Sequence, residues 1–161
     1  MRYWLMKSEP SVFTIEDLEK SPKQTVKWIP TKGIRNYQAR NFMRDDMSLG
    51  DLAFFYQSNC EKPGIVGIMK VAKLAYPDPL QFIEGHKYFD PTSSPDKPRW
   101  LNVDVKLVEK LPLIELKQLR SFPELESMLI LRRSEERRVR KECRSRWGPY
   151  HEKKKREDRR K

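Results

Sequence analysis

The chain has 161 residues, of which 37% are hydrophobic and 35% charged, and it carries a net charge of +11. This length is enough for one domain with an ordinary core, and the composition is that of a polar globular protein. No run of about 18 apolar residues is present, which excludes a membrane-spanning helix. The apolar run at the N-terminus is too short for a secretion signal. Cys60 and Cys143 make neither a disulfide framework nor a zinc site, so we expect a reducing compartment.

The N-terminal third predicts one strand and two short helices. The aromatic and apolar run Tyr3–Lys7 is typical of a strand. Thr14 stands where the first residue of a capping box belongs, and it predicts a helix over Ile15–Glu19. Asn36 can cap a second helix, Tyr37–Met47, whose apolar residues recur at helical spacing. Between these helices, residues 25–33 contain tryptophan, proline and glycine and are interpreted as a loop.

The middle of the chain predicts three strands. Leu52–Tyr56 is a short, continuous apolar run, as in a buried strand. Ile65–Tyr76 is rich in β-branched residues, and Gly67 inside it indicates a bulge or a close backbone approach. Residues 77–99 form a long proline-rich loop, and loops of this length are often functional. In Leu101–Leu107, apolar and polar residues alternate, which predicts a half-buried strand.

Short elements follow, and together the pattern predicts an α+β fold. Residues 113–119 suggest a short amphipathic helix, Pro123–Ser127 another helical turn, and Met128–Leu131 the start of a strand. The expected architecture is a small antiparallel, barrel-like sheet with flanking short helices.

The positive charge is concentrated at the C-terminal end of the chain. Residues 133–161 hold 14 of the 34 Lys and Arg and 6 of the 23 Asp and Glu, a net charge of +8, which leaves +3 for residues 1–132. A basic tail is typical of a disordered arm or of a nucleic-acid-binding arm. A third interpretation fits better. Residues 133–151 resemble the translation of a common sequencing adapter and depart from it only at Arg140 and Gly148. We therefore expect a domain over 1–132, truncated at its C-terminus, and an artefactual, disordered tail over 133–161.

The usual catalytic and metal-binding patterns are weak in residues 1–132. His86 is the single histidine there, so a histidine-based triad lacks support. Asp45 and Asp46 are neighbours on a helix and point in different directions, which makes a poor acid–base pair. The glycines of residues 64–67 lack the Lys-Ser/Thr ending of a P-loop. No metal-ligand spacing is present. The expectation is a binding module with no catalytic residue, no cofactor and no metal.

Aromatic and polar residues are interleaved in the same part of the chain. Aromatic faces stack on bases, Asn and Ser read base edges, and Lys and Arg hold phosphate. The competing interpretation assigns the aromatic residues to the core and the polar ones to a solvated helix face. The aromatic residues are Trp4, Trp28, Tyr37, Phe54, Phe55 and Tyr56, and the polar ones are Lys7, Ser8, Arg35, Asn36, Arg40, Asn41 and Ser58.

Several long motifs resemble the EVE domain family. They are YWLMKSEP at 3–10, GIRNYQARNFMR at 33–44, GDLAFFYQSN at 50–59, PGIVGIMKVAKLAYPD at 63–78 and WLNVDVKLVEKLPLIELK at 100–117. The resemblance implies a PUA-like β-barrel that lacks its last strand and helix here. It also implies a non-catalytic reader of a modified nucleobase, chiefly modified cytosine in DNA. The alternative is an accessory protein that reads modified RNA through the same pocket.

The resemblance also implies the pocket residues. They are Lys7, Ser8, Glu9, Trp28 as a stacking wall, Arg35, Asn36, Arg40, Asn41, Tyr56, Ser58, Asn59, Pro63, Gly64, Ile65 and Val66. Two departures from the family bear on these residues: four residues separate Trp28 from Gly33 where the family usually has one, and Gln57 replaces a usual histidine. The expected protein is a monomer that binds nucleic acid and no membrane. It would be nuclear in a eukaryote or cytoplasmic in a bacterium.

Overall fold

The computed structural model describes residues 2–28, 30, 32–126 and 131. Within them, the strands are β1 (Tyr3–Ser8), β2 (Thr25–Lys27), β3 (Leu52–Gln57), β4 (Gly64–Pro77) and β5 (Leu101–Glu115). The helices are α1 (Ile15–Lys20), α2 (Tyr37–Asn41) and α3 (Leu116–Leu119), with single 3₁₀ turns at Pro22–Gln24, Pro79–Phe82 and Pro123–Leu125. These elements confirm the predicted α+β class. The predicted strand Met128–Leu131, apart from Leu131, and the predicted tail lie outside the described residues.

The described strands form one five-stranded sheet in the order β1-β3-β4-β5-β2. The β3–β4, β4–β5 and β5–β2 pairs are antiparallel, as predicted, but β1 lies parallel to β3, with Tyr3 opposite Leu52. The sheet is therefore mixed. A parallel pair needs a long connection between its strands, and residues 9–51, which include both helices α1 and α2, supply it.

The core lies on one face of the sheet, and a smaller apolar cluster lies on the other. Trp4, Met6 and Phe55 belong to the main core, whereas their neighbours Leu5 and Phe54 pack in the second cluster. This division follows from the alternation of side chains along a strand. The main core is buried, whereas Leu5 and Phe54 in the second cluster are only partly covered.

Three predicted elements differ from the structure. Residues Thr25–Lys27, predicted as loop, form β2 because they pair with β5 at Asp104–Lys106. Residues 113–115, predicted as helix, continue β5 instead, since Ile114 pairs with Ile65. The predicted second helix is α2 followed by a π-helical turn, Phe42–Asp46, in which the Met47 amide donates to the Phe42 carbonyl over 3.0 Å.

The capping box predicted before α1 is present. The Asp17 amide donates to the Thr14 hydroxyl oxygen over 3.1 Å, and the Thr14 amide donates to the Asp17 carboxylate over 2.8 Å. These two bonds satisfy amide groups that a helix start leaves without partners. The Thr14 amide and the Thr14 hydroxyl both donate to the exposed Asp17 carboxylate, and these bonds lower the pKa of that carboxyl.

Gly67 lies where α1 approaches the sheet most closely. A methyl group at this position would lie 2.8 Å from the Ile15 side chain and 2.9 Å from the Glu109 carbonyl oxygen. The pairing of β4 also shifts beside it, between Ile65 and Gly67. The sequence predicted a bulge or a close backbone approach, and the structure shows a register shift together with a close approach, since the missing side chain lets Ile15 contact the strand.

Replacing Gly67 with alanine should destabilise the protein. The added methyl group has no room against the Glu109 carbonyl, so overpacking is expected to lower the free energy of unfolding by about 1–3 kcal/mol. Urea denaturation followed by circular dichroism measures this loss. Lys70→Ala, at an exposed position of the same strand, is the control and should have little effect. Equal stability of the two variants would contradict the close approach.

Candidate functional site

A buried carboxylate, Asp78, stands at the end of β4. Its side chain is 0% exposed and accepts a hydrogen bond from Arg35 Nη1 over 2.7 Å. Lys27 Nζ, at the end of β2, lies 3.7 Å from the other carboxylate oxygen. The Leu80 amide donates to the same carboxylate over 3.2 Å. A buried charge needs such partners because its desolvation is expensive, and here they connect three separate segments of the chain.

Gln81 holds the proline-rich loop against the strand ends. Its buried amide nitrogen donates to the carbonyls of Asp78 and Trp100, over 2.8 and 2.9 Å. Its amide oxygen accepts from Ser93 Oγ and from the backbone amides of Arg99 and Trp100. One side chain thus connects the start, the middle and the end of the loop. These bonds explain why a long loop with little regular structure keeps a defined shape.

Trp100 is fixed at the end of this loop. Its indole nitrogen donates to the Asp90 carboxylate over 2.7 Å. Hydrogen bonds from Thr92, with further support from Trp100 and Arg99, lower the pKa of Asp90. Asp90 therefore stays ionised near neutral pH and keeps the indole in place.

Arginine side chains and aromatic rings pack together around Trp100. The Arg35 guanidinium lies 5.3 Å from the Tyr88 ring and 5.4 Å from the Trp100 ring. The ring of Tyr37 lies 4.9 Å from that of Trp100, and the Arg40 guanidinium lies 4.9 Å from the Tyr37 ring. Tyr37 remains 53% exposed. We call this group the arginine–aromatic cluster; its members are Arg35, Tyr37, Arg40, Tyr88, Arg99 and Trp100.

The ends of β1 and β3 form a second polar group. The Ser8 hydroxyl donates to the Phe13 carbonyl over 2.8 Å, and the Ser58 amide donates to the Ser8 carbonyl over 2.8 Å. Lys7 Nζ lies 5.7 Å from the Tyr56 ring. Asn59, with a φ of 56°, makes the tight turn after β3. We call Lys7, Ser8, Glu9, Tyr56, Ser58 and Asn59 the strand-end cluster.

Most predicted pocket residues fall into one of these two clusters. Asn36 and Asn41 lie beside the arginine–aromatic cluster and already make local hydrogen bonds. The Asn36 side chain accepts from the Ala39 amide over 3.0 Å and caps α2, and the Asn41 oxygen accepts from Arg40 Nη2 over 2.7 Å. The four predicted residues that open β4, Pro63, Gly64, Ile65 and Val66, pack against other parts of the protein. Gly64, Ile65 and Val66 are buried.

The structure does not place Trp28 as an open stacking wall. Its side chain is 0% exposed, and its ring packs edge-on against Phe13 and Phe55, with centroids 6.2 and 5.3 Å away. A base cannot stack on a ring whose faces and edges lie in the core. The sequence-based role of Trp28 is therefore corrected to that of a core residue.

Sequence reasoning missed the acidic and aromatic partners in the loop. Asp78, Gln81, Tyr88, Asp90 and Trp100 were not among the predicted site residues. The length of the loop was the available signal. It indicated a functional segment but not which of its residues matter. Among the described residues, no group of three or more His, Cys, Asp and Glu side chains is arranged to hold a metal ion. None of the described helices is long and apolar enough to cross a membrane.

Removing the Arg35 charge tests how much the ion pair between Arg35 and Asp78 contributes to the stability of the protein. Arg35→Met leaves the buried carboxylate with Lys27 at 3.7 Å as its remaining cation. Breaking a buried ion pair on one side typically costs about 3–5 kcal/mol, and we expect about 3 because Lys27 remains. Chemical denaturation measures the loss. Arg44→Met removes an arginine from an exposed pair with Asp45 and should leave the stability unchanged. An Arg35→Met protein as stable as the unaltered one would show that Asp78 does not depend on this partner.

Comparisons with known proteins agree with this fold. The sequence model of the EVE domain family matches residues 2–147; the match extends past residue 132, and the boundary predicted there stays a prediction. Mouse thymocyte nuclear protein 1 is 52% identical over 128 residues, 71% of this chain and 55% of the relative. The chain thus spans about half the length of the curated relatives it matches.

Solved structures are similar over most of the chain. Human THYN1 protein in complex with 5-methylcytosine containing DNA has a TM-score of 0.73 at 44% identity, covering 83% of this chain and 86% of that one. A hypothetical protein from Leishmania major has a TM-score of 0.71 at 43% identity, covering 81% and 80%. The sequence motifs, the mixed sheet with short helices and these similarities agree, and the chain belongs to the EVE domain family.

Proposed function

We propose that this chain is a non-catalytic module that binds DNA at a modified cytosine. The observation that carries the proposal is the similarity to human THYN1 protein, whose structure was solved in complex with 5-methylcytosine containing DNA, at 44% identity over 83% of this chain. The name of the curated relatives, thymocyte nuclear protein 1, supports a nuclear location. RNA carrying the same modification is the competing ligand, and the experiment below includes it.

The two clusters supply complementary chemistry for this function. In the proposed role, arginines of the arginine–aromatic cluster contact phosphate, since guanidinium groups bind phosphate oxygens well. The hydroxyl and amide groups of Ser58, Asn59 and Asn36 contact the edge of an extruded base. Lys7 and Glu9 add a cation and a carboxylate at the same strand ends. Trp28 supports this region from the core instead of stacking on the base.

Energetic considerations limit how selective such a module can be. Extruding a base from a duplex costs a few kcal/mol, and stacking returns about 1–3 kcal/mol. One buried methyl group adds about 0.8 kcal/mol. Since about 1.4 kcal/mol corresponds to a factor of ten, methylation alone accounts for roughly fourfold preference. We therefore expect micromolar binding with modest selectivity, strongest for a target base that is already unpaired.

The test is a fluorescence-polarisation titration of the full chain. The probes are matched single-stranded DNA and RNA oligonucleotides that carry cytosine or 5-methylcytosine at one position, at low and moderate salt. We expect roughly fourfold tighter binding of methylated than of unmethylated DNA, from the burial of one methyl group. Equal affinity for both DNAs would contradict the proposal. A methylation preference confined to the RNA probes would favour the RNA-binding alternative.

Two substitutions locate the base-contacting groups. Ser58→Ala removes a hydroxyl whose bond to the Ser8 carbonyl is long, 3.4 Å, so the fold should survive. Asn36→Ser removes the amide and keeps an oxygen able to cap α2. Both variants should lose preference for the methylated probe. Ser121→Ala, which removes an exposed hydroxyl after α3, is the control. Unchanged selectivity in both variants would remove these residues from the site.

A further inference from the structure

An open groove lies next to the arginine–aromatic cluster. Its volume is about 450 Å³, within the range of pockets that hold small organic ligands. Its floor is apolar and consists largely of Met43, Met47, Leu74 and Leu101. Met43 and Met47 are almost fully buried, whereas Leu74 is 44% exposed. The groove therefore offers a firm apolar surface that is open to solvent on one side.

Three arginines line the same groove, and none of its lining residues is acidic. They are Arg40, Arg44 and Arg99. Arg40 is held by the Asn41 oxygen and by the Tyr37 ring, and no ion pair of Arg40 is found among the described residues. Within that part of the chain, no direct ion pair neutralises the Arg40 charge, although its Nη1 also donates to the Arg99 carbonyl over 3.4 Å.

The other two arginines each have one acidic partner. Arg44 pairs with Asp45 on the surface, where both side chains are about half exposed. Arg99 lies 3.8 Å from Asp90. The Arg44–Asp45 pair is bidentate but solvent-exposed, with N–O distances of 2.7 and 2.8 Å, whereas Asp90 is 14% exposed and also accepts from Trp100. The lining of the groove therefore combines apolar side chains with three arginines and two neighbouring carboxylates, an excess of one positive charge.

We infer that this groove holds a nucleotide adjacent to the recognised base on the same DNA strand. The inference rests on the proposed function, because it assigns a neighbouring position on the same ligand. The exposed Leu74 side chain and the half-buried Leu101 offer an apolar face to an unpaired base, and Met43 and Met47 lie buried behind them. The arginine rim complements the phosphates on either side. In this assignment Arg40 contacts phosphate, not the edge of the modified base.

The arginine rim is tested by the salt dependence of binding. The full chain and its Arg44→Gln and Arg99→Gln variants are titrated with single-stranded DNA carrying one 5-methylcytosine, over a range of salt concentrations. Log affinity falls as log salt rises. Each lost phosphate contact should make this slope less steep by about 0.7. The loss should be the same for methylated and unmethylated probes, because phosphate carries no sequence information.

Lys20→Gln is the matched control, since it also removes one positive charge. Lys20 is exposed in the last turn of α1 and belongs neither to the groove nor to either cluster. The salt slope of the control variant should equal that of the unaltered protein. If the Arg44→Gln and Arg99→Gln variants have the same salt slope as the control variant, the inference is overturned.

The apolar floor is tested with a DNA lesion. Oligonucleotides that carry an abasic site on either side of the 5-methylcytosine keep every phosphate and lose one base. The abasic site that removes the base held in the groove should weaken binding about fivefold. This is the loss expected when about 40 Å² of apolar base surface is no longer buried. Leu74→Ser should make the protein insensitive to that abasic site. No effect of either abasic site would overturn the inference.

The two proposals fail in different ways. If the unaltered protein binds methylated and unmethylated DNA equally, the proposed function fails. The salt slopes of the Arg44→Gln and Arg99→Gln variants still test whether the groove binds a nucleotide. If methylation is recognised but the groove variants and abasic probes behave like their controls, the groove inference fails alone.

Discussion

The buried carboxylate of Asp78 is the interaction on which the candidate site depends. It stands at the end of β4 and binds Arg35 and Lys27, which come from two other segments. Its backbone amide donates to the Trp100 carbonyl, and its carbonyl accepts from Gln81. These contacts place an arginine and a tryptophan from distant parts of the sequence beside each other. Because a buried charge without partners is very unfavourable, the same constraint fixes the start of the loop and the segment before α2.

Much of the fold was predictable because its signals are local. The capping box at Thr14, the apolar run of β3 and the alternation in β5 each need only neighbouring residues. The failures concern pairings between distant residues. Three residues are too few for a periodic signal, so β2 is visible only through its pairing with β5. The parallel β1–β3 pair likewise depends on the path of residues 9–51. The apolar pattern of residues 113–115 is compatible with either a helix or a strand. These residues form a strand because they pair with β4.

The candidate site was less predictable than the fold. Family motifs identified Arg35 and Arg40, and the structure places both beside aromatic rings. The same motifs identified Trp28, but nothing in the sequence distinguishes a core tryptophan from one that stacks on a ligand. Asp78 and Trp100 stood inside quoted motifs without an assigned role, because their importance arises from contacts across the 21 residues of loop between them. The sequence thus identified the chemistry of the site better than its geometry.

The central claim is that methylated DNA binds beside the arginine–aromatic cluster. Nuclear magnetic resonance of the tryptophan indole N–H groups tests it most directly, with signals assigned by replacing each of the four tryptophans with phenylalanine. On titration of the full chain with single-stranded DNA, the Trp100 signal should shift, and the shift should differ between 5-methylcytosine and cytosine probes. An unchanged Trp100 signal, with shifts confined to Trp147 in the basic tail, would show non-specific binding by the tail and contradict the account.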